Sequence, residues 1–411
     1  MTSSPVVRSP ETNPFLPGFG AVPQVWAGRD DVIRMHERER RARLLGRYTQ
    51  GAVFIGPSGI GKSVLVNRFA QASVEAGDVV LDPVRVAKRT DPISQLAAAV
   101  EKAEQQLASD TFIDALGRLL DRLKVISIKG VELAIQQEGI SNPHLVIRDS
   151  IAALAETLAK ENVSRPRNRQ RVLVIRVDEL QNAGEAQRSA IINALGDVLE
   201  REVLVEVGDG TRSRVSLHLP VLLYLTGLPD LLNRNTDVDT FRRRFTTEPL
   251  GMLHDDDIVD ALSDPLPGGV SVDPEAARLI ASIVAGDPYL FQLVGQHAWN
   301  ASGADRISVD DVKSADRETY VARLRIVEAA AADIPSGEAE VLAAIYAAAG
   351  TDLTVSGAEV ARRLNKTPAQ IATYAQRLER RAAIHREWGR WRIENRLLHR
   401  YQTTGDILPL A

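Results

Sequence analysis

At 411 residues the chain is long enough for two or three domains, each able to bury its own core. Hydrophobic residues at 44% and charged residues at 25% exclude a disordered or fibrous chain, and the absence of cysteine excludes disulfides, thiolate zinc sites and cysteine nucleophiles. A formal net charge of -4 gives no global attraction to nucleic acid, so any such binding has to come from a locally basic surface.

Residues 1–24 are rich in Pro, Ser, Thr and Gly without helical or strand periodicity, and a flexible tail is expected there. The apolar run 52–55 ends in a glycine-rich loop, after which Val64, Leu65, Val66, Phe69 and Val74 recur at helical spacing: strand, loop, helix. A second strand is expected over 79–86. Helix-like sequence then runs over 93–159, with Leu116, Leu119, Leu120 and Leu123 on one apolar face. Apolar runs at 172–177 and 221–225, separated by a helical pattern at 186–199, continue the alternation, which predicts a parallel α/β sheet. After Pro249 the stretches 255–262, 274–284, 288–299 and 309–331 all read as helices, with no strand between them. Past Pro335 come helices at 338–348, 356–364 and 368–381 and a hairpin at 383–393 turning near Gly389, the order of a winged helix-turn-helix. The expected domains are 25–250, 251–332 and 333–411. No apolar run reaches the roughly 18 residues of a membrane span and no export signal opens the chain, so a cytoplasmic protein without membrane contact is expected.

Gly56-Pro57-Ser58-Gly59-Ile60-Gly61-Lys62-Ser63 matches the phosphate-loop pattern G-x-x-x-x-G-K-[ST], placed between strand and helix as that motif requires, with Val64 following it. Its glycines let backbone N–H groups turn toward phosphate and the helix N-terminus adds a positive dipole. Lys62 then neutralises the β and γ oxygens, and the Ser63 hydroxyl ligates Mg²⁺. ATP and Mg²⁺ are therefore the expected ligands. The strand 172–177 ends in Asp178-Glu179, two carboxylates with separable roles: Asp178 to hold the metal through water, Glu179 to polarise the attacking water. A solvated acidic cap on a strand end is the competing account.

The phosphate loop and Asp178-Glu179-Leu180-Gln181 resemble those of AAA+ ATPases, in the branch of origin-recognition initiators and related bacterial ATPases with a helical lid and a C-terminal winged helix. Weaker points of likeness are Ala27-Gly28-Arg29, Thr226-Gly227-Leu228-Pro229 and Gly286-Asp287-Pro288-Tyr289. The resemblance implies that Gly28 and Arg29 lie by the adenine, with Pro288 opening the lid helix. It implies also that Thr226 is a sensor of the γ-phosphate or water; a hydroxyl capping a strand-to-loop turn explains Thr226 equally well. Tyr289 stands where the family often has a lid arginine. Thr240-Phe241-Arg242-Arg243-Arg244-Phe245 resembles the place of an arginine finger acting on a neighbouring protomer, with Arg243 and Arg244 as candidates and Arg244 favoured. An ordinary solvated basic cluster is the alternative. ATP-bound homo-oligomers and a slow ATPase dependent on oligomerisation or DNA follow from the likeness.

The C-terminal region carries the local charge the whole chain lacks: Lys366, Arg377, Arg380, Arg381, Arg386, Arg390, Arg392, Arg396 and Arg400 outnumber Glu379, Glu387 and Glu394 between positions 366 and 400. Thr367 can cap the helix that follows, leaving Gln370, Thr373 and Arg377 as an outward stripe able to enter a major groove, with Lys366, Arg380 and Arg390 beside it. Trp388 and Trp391 flank the wing turn, where tryptophans commonly pack. An ATP-controlled duplex-DNA-binding protein is the preferred function. The alternative is a nucleotide-gated signalling or scaffold ATPase whose winged helix docks a protein partner.

Overall fold

A computed structural model of the chain describes residues 8–18, 20–87, 90–107, 143–207, 213–228, 231, 243–350, 352–381 and 383–408. It divides into two compact units: a sheet unit, Asp30–Ile55 with Leu65–Pro249, and a helical unit, Met1–Arg29 with Gly56–Val64 and Leu250–Ala411.

The strands β1 (Gly51–Ile55), β2 (Val79–Val80), β3 (Val84–Arg85) and β4 (Leu173–Asp178) belong to the sheet unit, as do a hairpin, β5 (Glu202–Val207) and β6 (Ser213–His218), then β7 (Val221–Gly227) and β8 (Phe245–Pro249). β2, β4, β7, β1 and β8 lie side by side in that order, with β3 also on β4, and every pairing in this sheet is parallel. A parallel sheet is covered on both faces, which is why β4 and β7 read as near-continuous Val, Leu and Ile. The helices are α1 (Asp30–Leu44), α2 (Lys62–Glu75), α3 (Pro92–Leu107), α4 (Pro143–Ser164) and α5 (Glu185–Glu200). One core joins α3, α4 and α5 to the sheet through Leu96, Ile151, Leu158, Ile175, Leu195 and Leu223. Elsewhere in this unit the ring of His36 on α1 stacks on Phe69 and meets the Tyr224 hydroxyl at 2.6 Å; burial lowers that histidine to about 4.

The expected strand 79–86 is interrupted around Pro83, which has no N–H to give to a ladder. The hairpin and β8 were not anticipated. Leu116, Leu119, Leu120 and Leu123 lie outside the described residues, as do Pro229, Thr240, Phe241 and Arg242.

The helical unit contains α6 (Asp255–Ser263), α7 (Pro274–Val284), α8 (Pro288–Asn300), α9 (Val309–Ala332), α10 (Ser336–Ala348), α11 (Gly357–Arg363), α12 (Pro368–Arg380) and α13 (Arg396–Thr404). Between the first of these, β9 (Ser271–Val272) and β10 (Arg306–Ile307) make a short parallel pair where no strand was expected. Farther on, β11 (Thr354–Ser356), β12 (Ile384–Glu387) and β13 (Arg390–Ile393) form an antiparallel sheet in the order β11-β13-β12. A single hydrophobic cluster runs through the unit from Phe15 to Ile407. Residues 251–332 and 333–411, expected as separate domains, therefore share one core.

The flexible N-terminal tail is also corrected. From Arg8 onward the described segment is strapped over α8. Arg8 is 4% exposed, donating from Nε to Ala304 O at 2.6 Å and from Nη1 to Ala298 O at 3.1 Å, with Asp311 as its ion-pair partner at 3.2 Å. The Trp299 indole donates to Ser9 O at 3.0 Å. Phe15 meets Phe291 edge-on, and a Cβ at Gly295 would collide with its ring. The compositional signal for disorder fails here because one aromatic and one buried arginine are enough to anchor a short polar segment. Phe15→Ala should destabilise this unit by about 3–5 kcal/mol, the usual cost of emptying a buried phenylalanine site. Urea denaturation followed by circular dichroism measures it, and an unchanged midpoint would mean that the strap is not docked.

Candidate functional site

In the helical unit, the loop 56–63 shows why its glycines are glycines. A Cβ on Gly56 would stand 2.5 Å from Leu250 O, a backbone atom that cannot yield. Gly59 and Gly61 hold φ of +84° and +91°, with nothing within 4 Å of an added Cβ, so the left-handed backbone excludes side chains while the space beside the loop is open. Lys62 opens α2 and is 4% exposed; its Nζ donates to Gly56 O at 2.9 Å and Pro57 O at 2.7 Å. The loop wraps its own cation. Pro57 and Ser63 are half-buried, Ser58 is exposed and Ile60 is buried.

In the sheet unit, Asp178 closes β4 beside the end of β7, in the register that sets Val177 opposite Leu225. The Thr226 hydroxyl donates to Asp178 Oδ1 and accepts from the Glu179 N–H at 3.1 Å. Thr226 is 1% exposed, and its hydroxyl is engaged by both members of the acidic pair. Glu179 has φ +60°, a left-handed conformation uncommon for a non-glycine and typical of over-determined functional positions. The Gln181 amide donates to Glu179 Oε2, and its Oε1 accepts from Leu228 N at 3.2 Å. Arg85 on β3 lies 3.8 Å from Asp178 Oδ2. From sequence Gln181 enters only as part of a resemblance, with no role of its own, and Arg85 is not singled out. Gln181 was visible inside Asp-Glu-Leu-Gln, and Arg85 as a charge between two strand valines.

Residues 26–206 match the family model described as AAA ATPase domain. The chain carries an AAA ATPase domain. Among curated proteins none matches. A Walker-type ATPase of Pyrococcus abyssi is similar in structure over 92% of this chain and 96% of its own, at 14% identity and a TM-score of 0.56, a likeness of fold alone. The Orc1 protein of Aeropyrum pernix in complex with DNA aligns at 16% identity over 99% and 98% of the two chains, with a TM-score of 0.39. For the RuvB Holliday junction branch migration motor of Thermotoga maritima the values are 14%, 93%, 96% and 0.40.

Two further segments expected to serve the AAA domain fall in the helical unit. Gly28 has φ +62°, and its Cβ would meet Asp257 Oδ2 at 2.8 Å. Arg29, also left-handed, donates to Gly251 O, with Asp257 and Glu394 acting on its charge. Pro288 occupies the first turn of α8, capped by Asp287, whose Oδ1 accepts from Tyr289 N at 2.8 Å and Leu290 N at 3.0 Å. Tyr289 is exposed.

The two candidate arginines differ in their surroundings. Arg244 is tied within its own unit to Asp197 at 2.9 Å and Glu200 at 3.2 Å, and its side chain lies against Gly196, where a Cβ would be 2.6 Å away. Arg243 is exposed. In the basic C-terminal region many charges are likewise committed. Arg396 is bidentate to Asp255 at 2.6 and 2.7 Å, Arg381 and Arg377 face Glu338 at 2.8 and 3.8 Å, Lys366 pairs with Glu340 at 2.8 Å and Arg392 with Glu387 at 3.0 Å. Arg390 contacts Thr354 Oγ1 at 3.0 Å. Thr367 caps α12 as expected, its N–H donating to Gln370 Oε1 at 2.7 Å, which takes up part of that glutamine; Gln370 and Thr373 are exposed. Arg362, Arg363, Arg380 and Arg386 are exposed and form no ion pair among the described residues.

Burial pushes the Asp287 carboxyl up to about 6, against two backbone N–H donors that pull it down. Between its ordinary value of 3.8 and about 6 the folded chain keeps a proton that the unfolded chain has lost, so this group's contribution to stability falls as pH rises through that window. Asp287→Asn keeps a capping oxygen and removes the titration. Relative to wild type, the variant should gain unfolding free energy from pH 4 to pH 6 in chemical denaturation; parallel pH profiles would contradict the assignment.

Proposed function

We propose that this chain binds Mg²⁺-ATP at the loop 56–63, hydrolyses it, and uses nucleotide state to control DNA binding by a winged helix within residues 333–411. The observation that carries the reading is the end of β4: an acidic pair held by Thr226 and Gln181, beside the strand next to β1, from whose last residue the phosphate loop continues. Lys62, now on loop carbonyls, would transfer its N–H donors to β and γ oxygens, and the backbone of Ser58 to Val64 would face the phosphates. One hydroxyl, Ser63, and one carboxylate, Asp178, suit Mg²⁺, which keeps most of its waters and takes its other ligands from phosphates. The metal when bound neutralises phosphate charge. Glu179 would take the proton of the attacking water, its carboxylate oriented by Gln181. Gly28, Arg29 and Pro288 are assigned to the adenine side. With Tyr289 in place of a lid arginine, the exposed Arg243 is the arginine offered to a neighbouring subunit in an ATP-bound homo-oligomer.

Lys62→Ala should abolish turnover, and Glu179→Gln should bind ATP in calorimetry without hydrolysing it. Wild-type turnover by Lys62→Ala sinks the phosphate-loop assignment, and reduced affinity in Glu179→Gln sinks the division of roles. Mixing Lys62→Ala with Arg243→Ala subunits, each inactive alone, should restore part of the activity at mixed interfaces; no recovery would exclude Arg243 acting across subunits.

The winged-helix reading rests on element order: α10, β11, α11, α12, then the hairpin of β12 and β13. Its DNA-binding role is supported by Arg362, Arg363, Arg380 and Arg386, exposed cations on α11, α12 and the hairpin. Arg380→Ala with Arg386→Ala should weaken duplex binding and flatten its log–log salt dependence by about two, one for each phosphate no longer neutralised. An unaltered isotherm would move the reading to docking of a protein partner.

A further inference from the structure

The turn joining β12 to β13 has only two residues, Trp388 at φ +48° and Gly389 at φ +78°. Both central residues in the left-handed region define the tight hairpin turn that selects Asn or Asp followed by Gly. A tryptophan in the first position is a backbone outlier, for which bulky side chains are poorly suited. The same ring is 95% exposed, far above any other large hydrophobic side chain among the described residues. Trp391 on the next strand is the contrast: it is 8% exposed and lies 3.3 Å from a would-be Cβ of Gly357. One tryptophan of the hairpin packs and the other is held out in water at a conformational cost. Neither local backbone preference nor core burial explains Trp388, so an external surface has to.

Charge decides which surface. Arg386 and Arg390 flank the turn and are exposed, and His385 and Arg392 pair across the ladder. The carboxylate nearest the tip, Glu387, is answered by Arg392. Arg390 has Glu359 at 3.9 Å and Arg386 forms no ion pair among the described residues. An exposed aromatic ring between these arginines matches a polyanion with π-faces, whereas an apolar protein pocket would leave Arg386 unanswered. Within an intact duplex, however, bases are stacked and a ring can enter only by unstacking a step at a cost of a few kcal/mol. A base that is already unpaired offers its face freely. We infer that Trp388 is a base-stacking tip: the hairpin recognises DNA in which an unpaired nucleotide adjoins a duplex, the ring stacking on that base while Arg386 and Arg390 meet the flanking phosphates.

The inference rests on the proposed DNA-binding function, and the test separates the two. The full-length protein is titrated by anisotropy against a blunt duplex and against the same duplex extended by a short single-stranded fork, with 2-aminopurine at the first unpaired position. The fork should bind more tightly, with the 2-aminopurine emission quenched. Trp388→Asn installs the residue the turn prefers, so it removes the ring without unsettling the hairpin. It should lose about 5- to 150-fold on the fork, the range of a single base–aromatic stack, keep blunt-duplex affinity within about twofold, and abolish the quenching, while Trp388→Tyr restores most of it. Equal losses on both substrates, or no preference for the fork, would overturn the stacking role while leaving duplex binding intact. A protein that binds neither DNA overturns both readings and makes the tip an anchor for a protein.

Discussion

The register of three neighbouring parallel strands is the constraint on which the candidate site depends. β7 lies between β1 and β4, with Ile55 opposite Gly227 and Val177 opposite Leu225. Because strand side chains alternate faces, a slip of one residue along the β4–β7 ladder would turn the Thr226 hydroxyl away from Asp178, whose carboxylate is 8% exposed. β7 is buried along its whole length, so the pair sits at the end of a strand held on both faces. Packing deep in the sheet thus sets the position of polar atoms at its edge, where ligands of open α/β sheets collect.

Much of this was legible in sequence because the signals are local. The phosphate loop declares itself within eight residues, and its glycines turn out to answer separate needs: Gly56 the backbone of Leu250, Gly59 and Gly61 their left-handed angles. Helices with strong start signals, such as the one opening at Pro274, begin where expected. What failed to show was whatever depends on a distant partner. A threonine at a strand end looks the same whether it caps a turn or holds a carboxylate; Asp178, 48 residues away, decides. Arg244 and Arg243 are adjacent and equally basic, and only Glu200 and Asp197 on α5 distinguish them. β8 escaped notice because Phe245–Pro249 is polar at its centre and too short for alternation to register.

The C-terminal charge has a similar lesson. Counted along the chain it is strongly basic, but Arg396, Arg381, Lys366 and Arg392 each have an acidic partner in the fold. Partly exposed pairs of this kind contribute little to stability, yet they remove cations from the surface that a polyanion would meet. The basic face is therefore smaller than composition implies and is concentrated on α11, the end of α12 and the hairpin.

The strap over α8 bears on how the polypeptide is made. Arg8 reaches carbonyls 290 and 296 positions further along the chain. The strap is thus synthesised well before the carbonyls it binds, and Asp30–Ile55 and Leu65–Pro249 are made in the interval. Since domains tend to form in order of synthesis, the sheet unit is free to fold early, as an insertion inside a unit whose two ends are still apart. Closing so long a loop is entropically slow, so the strap would dock only after the helices it crosses have been made.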